Sequence, residues 1–448
     1  MSLCHFLFHS GDERSVRAKK NIAASFFLRG TNVLVGLVLV PVLIHWLNPE
    51  RYGIWLAVTS VVGWFGLADF GLGNGLRNRF AEALARGDKA LARSYVSTSY
   101  VILSLIVGFL VLFFLVLNRF IDWTAILNAP RELERDIRIL VDIVFVLFFG
   151  ALVLRIVGVV LIASQKPAMN DLLETSSNVL LCLVILWLSQ RLPGSLVALG
   201  AVSGLSYVFV FLVATVIVFT RWYRDYAPSP ALVNFRYGRD LTGLGMRFFA
   251  IQVSNMILFQ TDNIIIARMF GPADITPYQV ALKYFSLLTM LFTIVLLPVW
   301  SASTEAYQKR DIAWMRRIAG KLFRIWLLLG AGAVLLLAVS GVFYRVWLGG
   351  AVTIPFALSA FMALFAVVYS WNLMFGYFTS GVGKIRIQLW AAVFAGIANI
   401  PLSIFFARFM GTPGVILATI VCMLPASVLL PIQYRRILAG RAGGVWDR

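Results

Sequence analysis

Twelve stretches of mostly apolar residues, each about as long as a bilayer is thick, succeed one another along this chain. They run over approximately 22–47, 52–75, 94–117, 137–163, 171–190, 195–219, 244–268, 278–302, 321–344, 353–381, 388–408 and 412–434. The hydrocarbon core of a membrane is about 30 Å thick, and a helix needs about twenty residues to cross it. Strands of a membrane barrel are half that length and alternate in polarity, so the runs exclude a barrel. The 448 residues are 60% hydrophobic and 13% charged, whereas soluble domains hold about 45–50% apolar and about 25% charged residues. Lipid must therefore solvate much of the surface. Pro41, Pro298, Pro401 and Pro425 fall inside the runs, where membrane helices accept them as kinks.

The loops are short, the longest being near 118–136 and 220–243, which leaves no room for a soluble catalytic domain. The expected organisation is a tail at 1–21, a six-helix bundle at 22–220, a linker at 221–243, a second bundle at 244–434 and a tail at 435–448. The formal net charge of +19 would suggest nucleic acid in a soluble protein. Here the basic residues crowd alternate loops: Arg77, Arg79, Arg86, Lys89 and Arg93 share one inner loop, and Lys309, Arg310, Arg316, Arg317 and Lys321 another. The opposite loops hold only Arg51, Arg119, Arg131, Arg135, Arg191, Arg268, Arg345 and Arg408. That bias predicts both termini in the cytoplasm and no nucleic-acid partner. Met1 to Lys20 lacks the pattern of a signal peptide. Cys4, Cys182 and Cys422 are not spaced for a metal and are expected as free thiols.

The two halves repeat. A shift of about 223 positions sets Asn32 on Asn255, Glu82-Ala83 on Glu305-Ala306, Asp88 on Asp311, Ala90 on Ala313 and Arg93 on Arg316. Asn48-Pro49-Glu50 answers Gly271-Pro272-Ala273, and Lys166 answers Lys384 at a slightly different shift. With six spans in each half, equivalent helices run in the same direction. The fold class is all-α integral membrane: about twelve transmembrane helices as two parallel six-helix bundles around a central cavity.

Charged side chains inside a membrane are costly and usually face a protein interior or a wet cavity. The candidates are Arg29, Asp69, Arg155, Arg247, Asp262 and Lys283. Gln252, Asn255 and Asp262 recur at helical spacing on span seven, and Arg29 and Asn32 hold the matching face of span one. Arg29, Asn32, Arg155, Arg247, Gln252, Asn255 and Lys283 are the expected substrate-binding residues. Four cations against two acids suit an anionic ligand such as a diphosphate. Asp69 and Asp262 are the expected sites for a coupling H+ or Na+. Polar glue between helices and snorkelling to the interface are the structural alternatives. Arg138 and Asp142, one turn apart, could pair along their helix.

Gly71-Leu72-Gly73-Asn74-Gly75 is neither a dinucleotide fingerprint nor a Walker loop. There is no metalloprotease motif, and His5, His9 and His45 form no metal site. No cofactor is expected. Trp46, Trp55, Trp123, Trp300 and Trp347 fall near span ends, as interfacial aromatic belts do.

Leu47-Asn48-Pro49-Glu50-Arg51-Tyr52-Gly53-Ile54-Trp55, then Asp69-Phe70-Gly71-Leu72-Gly73-Asn74-Gly75, Arg79-Phe80-Ala81-Glu82-Ala83 and Gly87-Asp88 carry a resemblance. With them, span count and loop lengths make nearly the whole chain similar to the Wzx-type O-antigen flippases. These are the polysaccharide transporters of the multidrug/oligosaccharidyl-lipid/polysaccharide exporter superfamily. The resemblance implies a V-shaped pair of six-helix bundles in the bacterial inner membrane. It implies translocation of undecaprenyl-diphosphate-linked oligosaccharide to the periplasmic leaflet, coupled to an ion gradient, for O-antigen or exopolysaccharide synthesis. Partners would be that lipid-linked oligosaccharide, H+ or Na+, membrane lipids, and polysaccharide polymerase and glycosyltransferase enzymes. A drug/cation antiporter is the alternative within the same superfamily. A membrane glycosyltransferase or O-antigen ligase is the enzyme alternative, and the large outer loop or acidic catalytic motif that it would need is missing.

Overall fold

A computed structural model describes residues 13–65, 72–164, 166–238, 253 and 260–447. Among them there is no strand, and ten helices are long and apolar enough to cross a membrane. The expected spans two and seven each include residues outside this set. The chain divides into two compact units, Met1–Phe249 and Ala250–Arg448.

The first unit holds α1 (Glu13–Leu47), α2 (Pro49–Trp64), α3 (Leu72–Ala85), α4 (Lys89–Leu117), the short α5 (Trp123–Leu127), α6 (Glu134–Leu154), α7 (Ile156–Ala163), α8 (Pro167–Ser189) and α9 (Leu196–Ile217). In the second unit residues 260–270 are helical. They are followed by α10 (Ile275–Gln308), α11 (Ile312–Leu348), α12 (Phe356–Val382), α13 (Arg386–Met410) and α14 (Thr412–Leu438). Large apolar side chains lie on the outside, such as Phe109 and Leu112 on α4 and Leu328 and Val342 on α11. In lipid such a surface carries no penalty, while every backbone polar group must be paired within the helix. The expected span at 137–163 is a continuous rod interrupted at one residue: regular helix stops at Leu154 and resumes at Ile156. Arg155 still donates its N–H to the Ala151 carbonyl at 2.9 Å.

The repeat is written into the joints. Asn48 ends the first helix with φ 75° and ψ 163°, and Gly271 does the same with φ 99° and ψ 163°. Their N–H groups bond the Ile44 and Ala267 carbonyls respectively, both at 3.0 Å. A left-handed φ is costly for an L-residue other than glycine, and asparagine is among the few that tolerate it. In the next loop Gly87 (φ 72°) and Arg310 (φ 56°) stand at the same offset. Each leads into an aspartate that caps the following helix.

One expected pairing changes. Arg138 does not pair with Asp142: it meets Glu134 at 3.1 Å, and Asp142 accepts a hydrogen bond from Asn118 Nδ2 at 2.7 Å. A carboxylate one turn toward the N-terminus wins because the arginine side chain leans that way. The first part of the expected linker is held against α4. Lys89 Nζ lies 2.6 Å from Asp225 Oδ2, Arg93 Nε donates to the Ala227 carbonyl, and Ser94 Oγ donates to the Leu232 carbonyl. Ser97 and Thr98 hydroxyls accept from the backbone N–H of Ser229 and Asn234. Residues 225–234 thus form a strap pinned along one polar face of α4. Trp123, expected in an interfacial belt, is instead buried on α5.

The core of the second unit centres on Tyr434 of α14. Its ring stacks on Phe378 at 4.5 Å and its hydroxyl donates to the Met315 carbonyl at 2.9 Å. Phe292, Leu296, Leu322 and Met374 are buried in the same cluster.

Candidate functional site

Helix α8 enters the membrane with Asn170, Asp171, Glu174, Thr175 and Asn178 in its first three turns. Spacings of three and four residues put these side chains on neighbouring faces of one helix. Asp171, Thr175 and Asn178 meet α1. Arg29 Nε lies 3.4 Å from Asp171 Oδ2, Thr175 Oγ1 lies 3.2 Å from the Leu28 carbonyl, and Asn178 Nδ2 donates to Asn32 Oδ1 at 2.9 Å. Glu174 turns toward the interruption at Arg155, whose Nη2 is 3.7 Å from Glu174 Oε1. Asn170 also approaches Glu174, at 3.4 Å.

Three residues expected to bind substrate, Arg29, Asn32 and Arg155, are therefore brought together along one seam. The anionic side of that seam is Asp171 and Glu174, which the reading of the sequence passed over. The expected excess of cations does not hold in this seam, because each arginine has a carboxylate partner. Neither pair is sealed: the side chains of Arg29 and Arg155 are 49% and 50% exposed. The signal for Asp171 and Glu174 was present in the sequence, at the same helical spacing that marked span seven. The two acids stand at the edge of the apolar run that begins at Asp171, where charged residues are common and do not stand out.

A cavity of about 410 Å³ opens beside the seam, among α2, α6, α8 and α9. Arg155, Glu174, Asn178 and Tyr207 supply its polar side, and Trp55, Leu147 and Phe148 belong to its apolar side. Gly200 and Gly204 let α9 lie close to α6, since a Cβ at either would come within 2.5 Å of Leu140 or Leu147. Close approach through small residues is the usual way in which membrane helices pack.

In the second unit Asp262 is 3% exposed. Tyr278 donates its hydroxyl to Asp262 Oδ2 at 2.6 Å, and in the adjacent rung Gln279 Nε2 donates to Asn263 Oδ1 at 2.7 Å. Asp262 Oδ1 is buried with no hydrogen-bond partner among the described residues. A carboxylate held by one donor, with its other oxygen open, can take a proton or a cation. Lys283 follows on α10, half-buried. Arg247, Gln252, Asn255 and Asp69 lie outside the described residues. Among the described residues no group of three or more His, Cys, Asp or Glu is placed to hold a metal ion.

The family described as polysaccharide biosynthesis protein matches residues 18–303. A Salmonella typhi protein named for O-antigen transport is 24% identical over 386 residues, covering 83% of this chain and 85% of its own. A Yersinia pseudotuberculosis protein named for O-antigen export is 21% identical over 421 residues, covering 92% and 93%. Among solved structures, the inward-facing form of a multidrug resistance MATE family transporter of the MOP superfamily aligns with a TM-score of 0.76. It is 16% identical and covers 92% of this chain and 95% of its own. That likeness extends to the fold.

Proposed function

Since the chain belongs to the polysaccharide biosynthesis protein family, we propose that this multi-pass membrane transporter is a flippase for undecaprenyl-diphosphate-linked oligosaccharide. It moves the lipid-linked unit across the bacterial inner membrane, with both termini in the cytoplasm, and supplies O-antigen or exopolysaccharide synthesis. It is a transport protein and not an enzyme: glycosyltransferases make its cargo and a polymerase receives it.

The seam on α8 is the observation that carries this reading. Two arginines and two carboxylates lie within helices that are otherwise apolar enough to span lipid. Such groups are retained where a polar cargo must pass. Arg29, Arg247 and Lys283 are the cations proposed to meet the diphosphate, through charge-assisted hydrogen bonds. Asn32, Gln252 and Asn255 would offer neutral contacts to the same cargo. Arg155 stands apart because it lines the cavity beside α8, with Glu174 and Tyr207. Asp262 is the proposed coupling site for H+ or Na+, supported by its open Oδ1, with Asp69 as the second candidate.

Deletion of the gene in its host tests the reading. Loss of surface polysaccharide, with lipid-linked units accumulating on the cytoplasmic leaflet, is expected. Normal polysaccharide with new sensitivity to cationic drugs would instead identify an antiporter.

A further inference from the structure

We propose that the cavity beside α8 is a saccharide subsite, which takes one or two neutral sugar rings of the cargo between Trp55 and the polar side formed by Arg155, Glu174, Asn178 and Tyr207. The inference rests on the flippase reading and adds where, and by what chemistry, the glycan is held.

Charge separates a sugar from the diphosphate here. Arg155 and Glu174 cancel each other, so the cavity offers no net cation at its polar side. A diphosphate seated on Arg155 would also face the Glu174 carboxylate. A sugar hydroxyl both donates and accepts, and uses the two groups together: guanidinium N–H to oxygen, and O–H to carboxylate. Asn178 gives one amide hydrogen to Asn32. It keeps a second hydrogen and its oxygen, again a donor and an acceptor. The Arg155–Glu174 and Asn170–Glu174 approaches are long, 3.7 and 3.4 Å, so Glu174 has acceptor capacity left. Two other hydroxyls of the lining, Thr59 and Ser203, give their hydrogens to carbonyls of their own helices and keep only lone pairs. Among the four residues named, Arg155, Asn178 and Tyr207 can donate, and Glu174 and Asn178 can accept, which supplies both halves of a sugar hydroxyl's hydrogen bonding.

The rest of the cavity suits the C–H faces of a pyranose. Trp55 and Phe148 are flat apolar walls. The Tyr207 ring is held in place by Phe211, stacked on it at 4.4 Å with an interplanar angle of 12°. A preset aromatic surface costs little entropy on binding. The volume, about 410 Å³, lies in the range of about 300–1,000 Å³ that buries a small-molecule ligand.

The test uses the full-length protein in lipid nanodiscs. The probe is the repeat-unit oligosaccharide freed from its lipid diphosphate by mild acid. Saturation-transfer NMR should show contact with the sugar ring protons, unchanged by excess inorganic pyrophosphate. Trp55→Leu and Glu174→Gln should each weaken binding about tenfold, while Trp55→Phe, which keeps a ring, should bind within about threefold of the unaltered protein. Displacement by pyrophosphate would assign the cavity to the diphosphate and overturn the proposal. So would absence of transfer, or equal binding by all three variants. Restoration of surface polymer by the unaltered gene in the deletion host separates the two readings. If polymer returns but no free glycan binds, the subsite is wrong and the flippase stands. If polymer does not return, both fall.

Discussion

Asp311 repeats, 223 residues later, what Asp88 does. Asp88 Oδ1 accepts from the Leu91 N–H at 2.9 Å and Asp311 Oδ1 from the Trp314 N–H at 2.9 Å. The backbone N–H groups of the two aspartates bond the Ala83 and Ala306 carbonyls, at 3.0 and 2.8 Å. A side-chain cap satisfies one of the open donors at a helix start. Asp88→Ala and Asp311→Ala should each cost about 1 kcal/mol, and the asparagine variants much less. Unfolding of the detergent-solubilised protein, followed by circular dichroism, would read the difference. Equal stability of alanine and asparagine variants would remove the caps from the account.

Arg29→Ala, Arg247→Ala and Lys283→Ala should each lower surface polysaccharide about tenfold or more at normal protein levels in the membrane. The scale is that of one lost hydrogen bond to a charged group, about 1.5–3 kcal/mol. Wild-type polymer from all three variants would dismiss the cationic contacts with the diphosphate.

Asp262→Asn keeps the shape of the side chain and removes its ability to exchange a proton or neutralise a cation. Transport in vesicles with an imposed pH or Na+ gradient should lose its dependence on that gradient. Tyr278→Phe, which deletes the donor at 2.6 Å, should shift the dependence without abolishing it. An unaltered gradient response in the asparagine variant would count against Asp262 as the coupling site.

The strap over α4 should loosen in acid. Asp225 lies outside the spans, and the Lys89 ammonium hydrogen-bonded to it holds its carboxyl below the usual aspartate range. A depressed native value means that the pair stabilises the strap above the unfolded value and is lost as pH falls through the native one. Hydrogen exchange at the Ser229 and Asn234 amides, corrected for intrinsic rate, should accelerate below about pH 4. High salt should act in the same direction, since the pair is exposed. Rates independent of both would show that the backbone bonds alone hold the strap.

Gly194 leaves no room for a side chain. A Cβ there would stand 1.9 Å from the Trp46 carbonyl oxygen, a rigid backbone atom. Gly194 also accepts from Arg51 Nη1 at 2.9 Å. Gly194→Ala should cost about 1–3 kcal/mol, seen as reduced yield and a lower melting temperature. Unchanged stability would mean that the loop shifts freely.

The ten spans found among the described residues were legible in the sequence because apolar length is a local property. The repeat was legible because its joints need particular residues: asparagine or glycine at a left-handed φ, and aspartate at a cap. The seam was half legible. Arg29, Asn32 and Arg155 stood out as polar residues in apolar runs, whereas Asp171 and Glu174 merged with the polar edge of theirs. Pairing was not legible at all. Nothing in the spacing of Arg138 and Asp142 says that Glu134 and Asn118 would claim them, because the choice depends on side-chain direction and on a residue from another helix.

The joints occur twice and the charged seam on α8 occurs once. At the shift of 218 that sets Lys166 on Lys384, the counterparts of Arg155, Asp171 and Glu174 are Leu373, Leu389 and Ala392. A turn or a cap is needed by every copy of the unit that must fold, so both copies keep it. The charges of the α8 seam are not needed for folding each unit, and one copy of them suffices. The two halves are thus siblings in architecture that have divided their labour. A chain built from two first halves should still insert as a membrane protein, yet it would carry charges where the natural second half has Leu373, Leu389 and Ala392.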